Sequence, residues 1–465
     1  MTTAAKLLSR KSHNVPGRIR ITEYFFEVPH DWTKASESRP LTLFARSARR
    51  LEKPADPSND DPNKELPWLL FLQGGPGFEC APPQNNYWIN TILDRGYQVL
   101  MLDQRGTGLS SPLSPSTLGL RGGDEVQAKY LRSFRADSIV KDCEAIRTAL
   151  TKDLPVEKQK WSLMGQSFGG FCITTYLSFF PEFIREAFLF GGLPPLVDGP
   201  DEVYRRTFRK IKERNEKYYE KFPADVVMVK RICKLLQRLG DKTVRDTSSQ
   251  GFMTARRFLQ IGINFGAHGG VDAVHDIVLR AHSDLEFVGH LTRPTVAKIE
   301  SMLPYNDHMV YAILHEAIYC QGTASNWSST RIQNSPEFSK DYAIPKEPSD
   351  DPTTPILFVG ENVFDWMLDD YSELIKLKTV GNALAAYTDW PVLYDEKRLA
   401  KNEVPVYAAV YLDDMYVDYN FSMETASKIK GTKVFVTNAM YHDAVRSKME
   451  DVTKNLFALR DDCID

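Results

Sequence analysis

The sequence is poor in the features that define several classes of protein. Its six cysteines lie far apart without a C-x-x-C pair, which argues against a zinc site and a disulfide scaffold, so we expect buried free thiols. No apolar run reaches membrane-spanning length, and the N-terminal segment has no apolar stretch before its basic residues. The formal net charge is only -3, which gives no basic field for nucleic acid or an anionic membrane. We therefore expect a cytoplasmic protein with a small or peptidic substrate.

The length of the chain, 465 residues, exceeds that of an ordinary single-core domain. It predicts either a catalytic core with a large insertion or two domains. The composition, with 42% hydrophobic and 26% charged residues, is typical of a globular protein and argues against disorder.

Short apolar runs alternate with helical segments in the first part of the chain. Two alternating runs, 22–28 and 41–48, predict a leading antiparallel hairpin, and the Pro- and Asp-rich stretch 53–66 predicts an exposed loop. A helix with one apolar face is predicted over 137–151. The remaining runs are typical of parallel strands buried on both faces: 67–73, 97–103, 160–166 and 187–192. Together these elements predict a doubly wound α/β sheet.

The pattern changes from about 201 to 345, where Arg, Lys and aromatic residues recur at helical spacing. This segment predicts a helical insertion. Strand patterns return afterwards, at 354–360, 404–412 and 432–439. We therefore predict three parts: the first part of an α/β core over 1–195, a helical cap over 196–350 and the second part of the core over 351–465.

A Gly-x-Ser-x-Gly motif stands between an apolar strand and a predicted helix, at Gly165, Ser167 and Gly169. A serine nucleophile on a sharp strand-to-helix turn needs glycine two residues away on either side, because a side chain there would fill the space of the turn. The helix that follows directs its positive end at developing negative charge. This context favours Ser167 as a nucleophile over a chance match to the motif.

A second glycine-rich segment, QGGPG at 73–77, follows the apolar strand that ends at Leu72. The tetrahedral intermediate of acyl transfer needs two N–H donors for its oxyanion, and glycine lets the backbone approach without a Cβ. We assign these donors to Gly75 and Phe168. A plain Gly-Pro turn is the alternative interpretation of this segment.

The loop DQRGTGLS at 103–110 also follows an apolar strand. Asp103 and Arg105 have side chains that catalysis uses, but a salt-bridged loop scaffold is the preferred interpretation.

His442 is the predicted general base. The other eight histidines lie at or before His315, whereas His442 follows the last predicted strand and completes the chain order Ser, acid, His. The acid is expected at the end of the preceding strand, where Asp413 and Asp414 are adjacent. Position alone leaves both open.

Taken together, GGPG, DQRGTGLSSP, GQSFGG and the late Asp and His resemble the prolyl iminopeptidases of the α/β-hydrolase fold. The resemblance covers about 73–192 and 404–446, whereas the insertion is similar to the family's helical cap only in position and texture. The long N-terminal and cap segments look like the larger branch of the family. The resemblance implies an α/β-hydrolase core with a mostly parallel sheet, interrupted by a mainly helical cap.

The same resemblance implies Ser167 as nucleophile, Asp414 as orienting acid with Asp413 as the fallback, and His442 as base. A mechanism of this kind requires neither a metal nor an organic cofactor. One departure is Gln73, where smaller members of the family usually carry His. Because the oxyanion contacts come from backbone N–H groups, we expect the chemistry to survive this change.

Release of N-terminal proline requires a negative group for the substrate's iminium and a small apolar pocket for its ring. The segment AILHEAIY around Glu316 resembles the family's Glu-x-x-Tyr cap segment, which implies Glu316 as the anchor. Glu361 is the second candidate, and Phe364 or Trp366 is expected to wall the pocket. The expected partner is a peptide or aminoacyl amide with a free N-terminus, and neither nucleic acid nor a membrane.

Other functions stay open at this point. An esterase or an aminopeptidase of broader specificity would use the same triad, because the triad does not choose between ester and peptide. An inactive hydrolase fold that serves as a binding module is the non-enzymatic alternative, and the intact Ser, Asp and His argue against it.

Overall fold

The structure is a computed structural model that describes residues 2–51, 66–86, 88–346, 348 and 351–462. The predicted loop at 53–66 lies, up to residue 65, outside the described residues, and so does Cys463. The described cysteines are free and buried, which confirms the expectation for Cys80, Cys143, Cys172, Cys233 and Cys320. Every helix in the described part of the chain is too short or too polar to pass through a lipid bilayer.

The described residues form one sheet of nine strands. These are β1 (Lys6–Val15), β2 (Ile19–Pro29), β3 (Pro40–Arg50), β4 (Trp68–Leu72), β5 (Gln98–Leu102), β6 (Trp161–Gln166), β7 (Ile184–Phe190), β8 (Val406–Tyr411) and β9 (Thr432–Thr437). Their order across the sheet is β1-β2-β3-β5-β4-β6-β7-β8-β9. The pairs β1–β2, β2–β3 and β3–β5 are antiparallel and the others are parallel. The predicted mostly parallel sheet and its leading hairpin are confirmed.

Strand β1 had no signal in the sequence. Its side chains are almost all exposed, because it pairs with β2 at the edge of the sheet. An edge strand of this kind lacks the apolar alternation by which a strand is recognised.

The described residues also form α-helices. In chain order they are α1 (Ile89–Leu93), α2 (Pro115–Gly119), α3 (Asp124–Leu131), α4 (Ala136–Thr151), α5 (Phe168–Phe179), α6 (Asp201–Lys221), α7 (Asp225–Leu239), α8 (Ala255–Leu259), α9 (Gly270–Val288), α10 (Arg293–Ser301), α11 (Met309–Ile313), α12 (Ser328–Gln333), α13 (Met367–Asp370), α14 (Lys378–Ala385), α15 (Glu396–Leu399), α16 (Tyr419–Lys428), α17 (Ala444–Ser447) and α18 (Met449–Asp461).

Alternate side chains of the central strands enter two apolar cores. Leu70 and Leu163 pack in the core that contains residues of α4 and α5. Leu69 and Met164 pack in the other core, with residues of α1 and α18. Successive side chains of a strand point to opposite faces, so the two cores show that helices cover the central strands on both sides. Because both faces are buried, these strands read as continuous apolar runs.

Helices α6 to α15 fill the interval between β7 and β8, and we call this interval the cap. The strand predicted at 354–360 is wrong, since the described residues form none there. The run is buried, but its carbonyls bind α6 instead: Tyr219 Oη donates to Ile356 O at 2.6 Å and Asn215 Nδ2 donates to Phe358 O at 3.0 Å. Burial inside a helical region gives the same apolar pattern as burial in a sheet. The predicted domain boundaries stay predictions.

Candidate active site

Ser167 lies in the turn between β6 and α5 with φ of 83° and ψ of -115°, a conformation that strains a non-glycine residue. The turn closes because its neighbours are glycines. A Cβ on Gly169 would lie 2.0 Å from the carbonyl oxygen of Leu72, and one on Gly165 would lie 2.6 Å from backbone atoms of Gly169. The steric reason predicted for the Gly-x-Ser-x-Gly spacing is confirmed.

The glycine-rich segment after β4 approaches this turn because β4 pairs with β6. A Cβ on Gly74 would lie 3.2 Å from the Cβ of Ser167, and Gly75 has a φ of 131° that favours glycine. Phe168 occupies the first position of α5, where a backbone N–H has no partner within the helix. The backbone of both segments can therefore approach the serine without obstruction by side chains.

His442 and Asp414 form a buried pair, with 2.7 Å between Nδ1 and Oδ2. The second oxygen of Asp414, Oδ1, accepts from the backbone N–H groups of Tyr416 at 2.9 Å and Val417 at 3.0 Å. An imidazole that donates from Nδ1 to a carboxylate keeps Nε2 free to accept a proton. Asp413 lies instead 3.6 Å from Nζ of Lys217, so the structure pairs only the second of the two adjacent acids with the histidine.

Two opposing effects act on the imidazole of His442. Burial favours its neutral form, but the charge of Asp414 and the hydrogen bond to it outweigh burial, so the pKa of His442 is raised above its usual value. A histidine tuned in this way accepts a proton readily.

The loop after β7 makes room for the pair. A Cβ on Gly191, whose φ is 51°, would lie 3.1 Å from His442 Nδ1 and 3.3 Å from Asp414 Oδ2. Sequence reasoning missed this residue, although the Gly-Gly pair at the end of a predicted strand was a signal.

A cavity of about 450 Å³ opens at the serine. Core and cap both line it, among others through Gly75, Ser167, Tyr416, His442, Ile263, Leu303, His308, Tyr311 and Glu361. Of the residues predicted from the sequence, Ser167, Gly75, His442 and Glu361 therefore share one cavity, and Asp414 lies behind His442.

Glu361 is the predicted anchor that this cavity contains. Its Oε1 accepts a hydrogen bond of 2.5 Å from Tyr311 Oη. Burial raises the pKa of Glu361 to about 7, although the charge of His442 and the Tyr311 hydrogen bond act in the other direction. Glu300 also lines the cavity, but Arg257 Nη2 lies 3.2 Å from its Oε1. Among the described residues, no lysine or arginine forms an ion pair with Glu361, in contrast to Glu300.

Glu316 does not line this cavity, and its carboxylate instead contacts the start of α12. Its two oxygens accept from the backbone N–H groups of Ser328 at 3.0 Å and Ser329 at 2.8 Å. Burial raises the pKa of Glu316 to about 7. The family resemblance implies that Glu316 lies beside the nucleophile. The structure does not place it there, because its carboxylate binds the backbone of Ser328 and Ser329 inside the cap.

Phe364 and Trp366 also do not reach the cavity at Ser167. Their rings stack with centroids 5.3 Å apart, Phe364 is buried, and Trp366 lies under the guanidinium of Arg256 at 4.8 Å. Both side chains pack within the cap. The expectation that they wall the substrate pocket is therefore not met at this cavity.

The loop 103–110 is a scaffold, as predicted. Arg105 donates to both oxygens of Asp142, at 2.6 and 2.7 Å, and both side chains are buried. Asp103 accepts from the backbone N–H groups of Cys80 and Leu109, each at 3.0 Å. The salt bridge therefore forms with α4 rather than within the loop.

Metal-ligating side chains do not gather in threes anywhere in the described ranges. The arrangement at Ser167 can perform nucleophilic acyl transfer, since it combines a serine on a strained turn, an oriented imidazole and a close approach of backbone N–H groups.

Comparison with known proteins gives matches through core and cap. A family profile for the alpha/beta hydrolase fold matches residues 67–231. The chain is 44% identical over 462 residues to proline iminopeptidase aneH of Aspergillus aculeatus, covering 99% of this chain and 98% of that protein. It is 38% identical over 465 residues to the proline iminopeptidase of Aeromonas sobria, covering 98% and 100%. The crystal structure of proline iminopeptidase from Mycobacterium smegmatis aligns with a TM-score of 0.39 and 15% identity, over 94% of this chain and 99% of that one.

Proposed function

We propose that this chain, which belongs to the proline iminopeptidase family of α/β hydrolases, releases proline from the N-terminus of peptides. The reaction proceeds through a serine acyl-enzyme. One observation carries the proposal. The nucleophile Ser167, the base His442 and the carboxylate of Glu361 line the same cavity, so one bound residue can meet both the reacting groups and a partner for its amino group.

In the proposed mechanism, His442 Nε2 takes the proton of Ser167 Oγ as this oxygen attacks the carbonyl of the N-terminal proline. Asp414 keeps the imidazole in position and stabilises its positive charge. The backbone N–H groups of Gly75 and Phe168 bind the oxyanion. His442 then passes its proton to the leaving amine, an acyl-enzyme forms, and water releases proline by the reverse sequence of proton transfers.

Selectivity for a free N-terminus is assigned to Glu361. A substrate iminium near this carboxylate favours the ionised form and lowers its pKa from about 7. Tyr311 holds the carboxylate in place through its hydroxyl. A substrate with a blocked amino group would cover this partly exposed carboxylate without supplying a cation to pair with it, which costs binding free energy.

The test of the nucleophile compares wild type with Ser167→Ala on proline 4-nitroanilide. We expect kcat to fall by about 10⁴- to 10⁶-fold, the range for loss of a serine nucleophile. Circular dichroism would establish that the variant folds. Turnover near the wild-type rate in a folded variant would refute the mechanism.

The test of the anchor uses Glu361→Gln, with Asp307→Asn as the matched control because Asp307 is another carboxylate at the same cavity. We expect Glu361→Gln to raise KM for proline 4-nitroanilide about tenfold or more, because the iminium loses its partner. KM for an N-acetylproline ester should not rise and should fall if the unpaired charge opposes its binding. Equal effects on both substrates would favour the esterase, and equal rates on alanine and proline anilides would favour an aminopeptidase of broader specificity.

A cytoplasmic location stays a prediction, which fractionation of cells can test.

A further inference from the structure

We propose that Arg446 binds the free carboxylate of the leaving group, so that the protein prefers dipeptides, in which the C-terminus lies next to the scissile bond. This inference rests on the proposed function. It concerns the end of the substrate opposite to the one that Glu361 binds.

Arg446 is the single lysine or arginine among the described residues that line the cavity at Ser167. Its side chain is exposed, so it lies where the cavity opens to solvent. In the described part of the chain, no carboxylate lies within ion-pair distance of its guanidinium. A cation at this position is therefore available to a ligand.

Arg446 is also held close to the base. The backbone N–H of Ala444 donates to Tyr441 O at 2.9 Å and that of Arg446 donates to Asp443 O at 2.8 Å, so 441–447 forms helical turns. Residues four apart on such turns lie on the same side, and both His442 and Arg446 line the cavity. The pKa of His442 also responds to this arginine. Burial and the charge of Arg446 act to lower that pKa, but Asp414 and Glu361 act to raise it and determine its net direction.

The direction of the bound peptide follows from the reaction. With its amino group at Glu361 and its first carbonyl at Ser167, the substrate must send its leaving residue toward the opening. His442 must reach the scissile nitrogen to protonate it. In a dipeptide the carboxylate carbon is only about 2.5 Å from that nitrogen. The carboxylate thus lies beside the turn that carries Arg446, whose planar guanidinium is suited to bind it through two hydrogen bonds.

The experiment compares Pro-Gly with Pro-Gly amide, which share the scissile bond and differ in the charge at the C-terminus. For wild type at low ionic strength we expect kcat/KM to be about three- to tenfold higher for the free acid, the effect of a partly exposed charged pair. Arg446→Ala should bring the ratio close to one, and Arg446→Glu should invert it. Effects on the chemistry of the triad cancel in the ratio, because both substrates share them.

Lys448→Ala is the matched control. Lys448 is exposed on the same segment and does not line the cavity, so its loss changes the net charge equally and should leave the ratio unchanged. High salt should weaken the wild-type preference, since salt screens exposed charges. A wild-type ratio of one, or a preference that survives Arg446→Ala, overturns the inference. Hydrolysis of proline 4-nitroanilide distinguishes this failure from failure of the proposed function, in which that substrate would also be inert.

Discussion

His268 of the cap and Asp443 beside the base are joined by a contact of 2.6 Å between Nδ1 and Oδ1. The backbone N–H of His268 donates to the same oxygen at 3.1 Å, and the hydroxyl of Ser447 lies 2.8 Å from Nδ1. Burial acts to raise the pKa of Asp443, but hydrogen bonds from His268 outweigh it and hold the pKa below its usual value. Because Asp443 directly follows His442, the cap fastens the segment that carries the base.

Asp443→Ala removes this attachment. We expect kcat on proline 4-nitroanilide to fall several-fold, about three to ten, because His442 is held less firmly in its productive orientation. KM should change less than kcat, since Asp443 does not line the cavity. Asp451→Ala, at an exposed carboxylate of α18, should have no effect on either constant. An unchanged kcat in Asp443→Ala would show that the attachment does not position the base.

Asp414→Asn and Asp413→Asn form a pair of adjacent substitutions with opposite expectations. Asp414→Asn should lower kcat by about 10³- to 10⁴-fold, because the imidazole loses the carboxylate that sets its tautomer. Asp413→Asn should change kcat by less than about twofold, because Asp413 forms an ion pair with the half-exposed Lys217 rather than with His442. Steady-state kinetics of both purified variants decides the assignment, and a comparable loss in both would contradict it.

On the acid side, the pH profile of kcat/KM should report the titration of two groups. Activity requires a neutral His442, whose pKa is raised above its usual value, and an ionised Glu361, whose pKa is about 7. Both groups are protonated well below these values, so log kcat/KM should fall by about two units per pH unit there. Glu361→Gln should reduce this slope to one.

The same substitution should also move the remaining limb. The charge of Glu361 raises the pKa of His442, so its removal lowers that pKa and shifts the limb to lower pH. A wild-type slope of one, or a limb that moves to higher pH in Glu361→Gln, would exclude the proposed protonation states.

Glu316→Ala should affect stability rather than catalysis. The substitution leaves the buried N–H groups of Ser328 and Ser329 without an acceptor, at about 1–3 kcal/mol each. We expect urea denaturation to show a loss of about 2–6 kcal/mol in the free energy of unfolding, with kcat/KM close to wild type. The exposed Glu220→Ala in the same cap should change neither quantity. A large rise in KM for Glu316→Ala would return this residue to the role that the family resemblance implies.

Local sequence patterns were sufficient where the geometry depends on neighbouring residues. The turn at Ser167 closes because Gly165 and Gly169 lie within four residues of each other, and the central strands read as apolar runs because helices bury both their faces. These requirements are local in the sequence, so the central parallel strands and the nucleophile turn can be predicted from it, whereas the exposed edge strand β1 cannot.

Tertiary structure decided the rest, because it depends on contacts between distant segments. Asp413 and Asp414 are equivalent in sequence, and only the packing of the loop turns one toward His442 and the other toward Lys217. Glu316 and Glu361 are both cap carboxylates, yet one is buried and caps α12, whereas the other lines the cavity at Ser167. Periodicity reports that a residue is buried and leaves open what it is buried against, which is set where segments far apart in the chain meet.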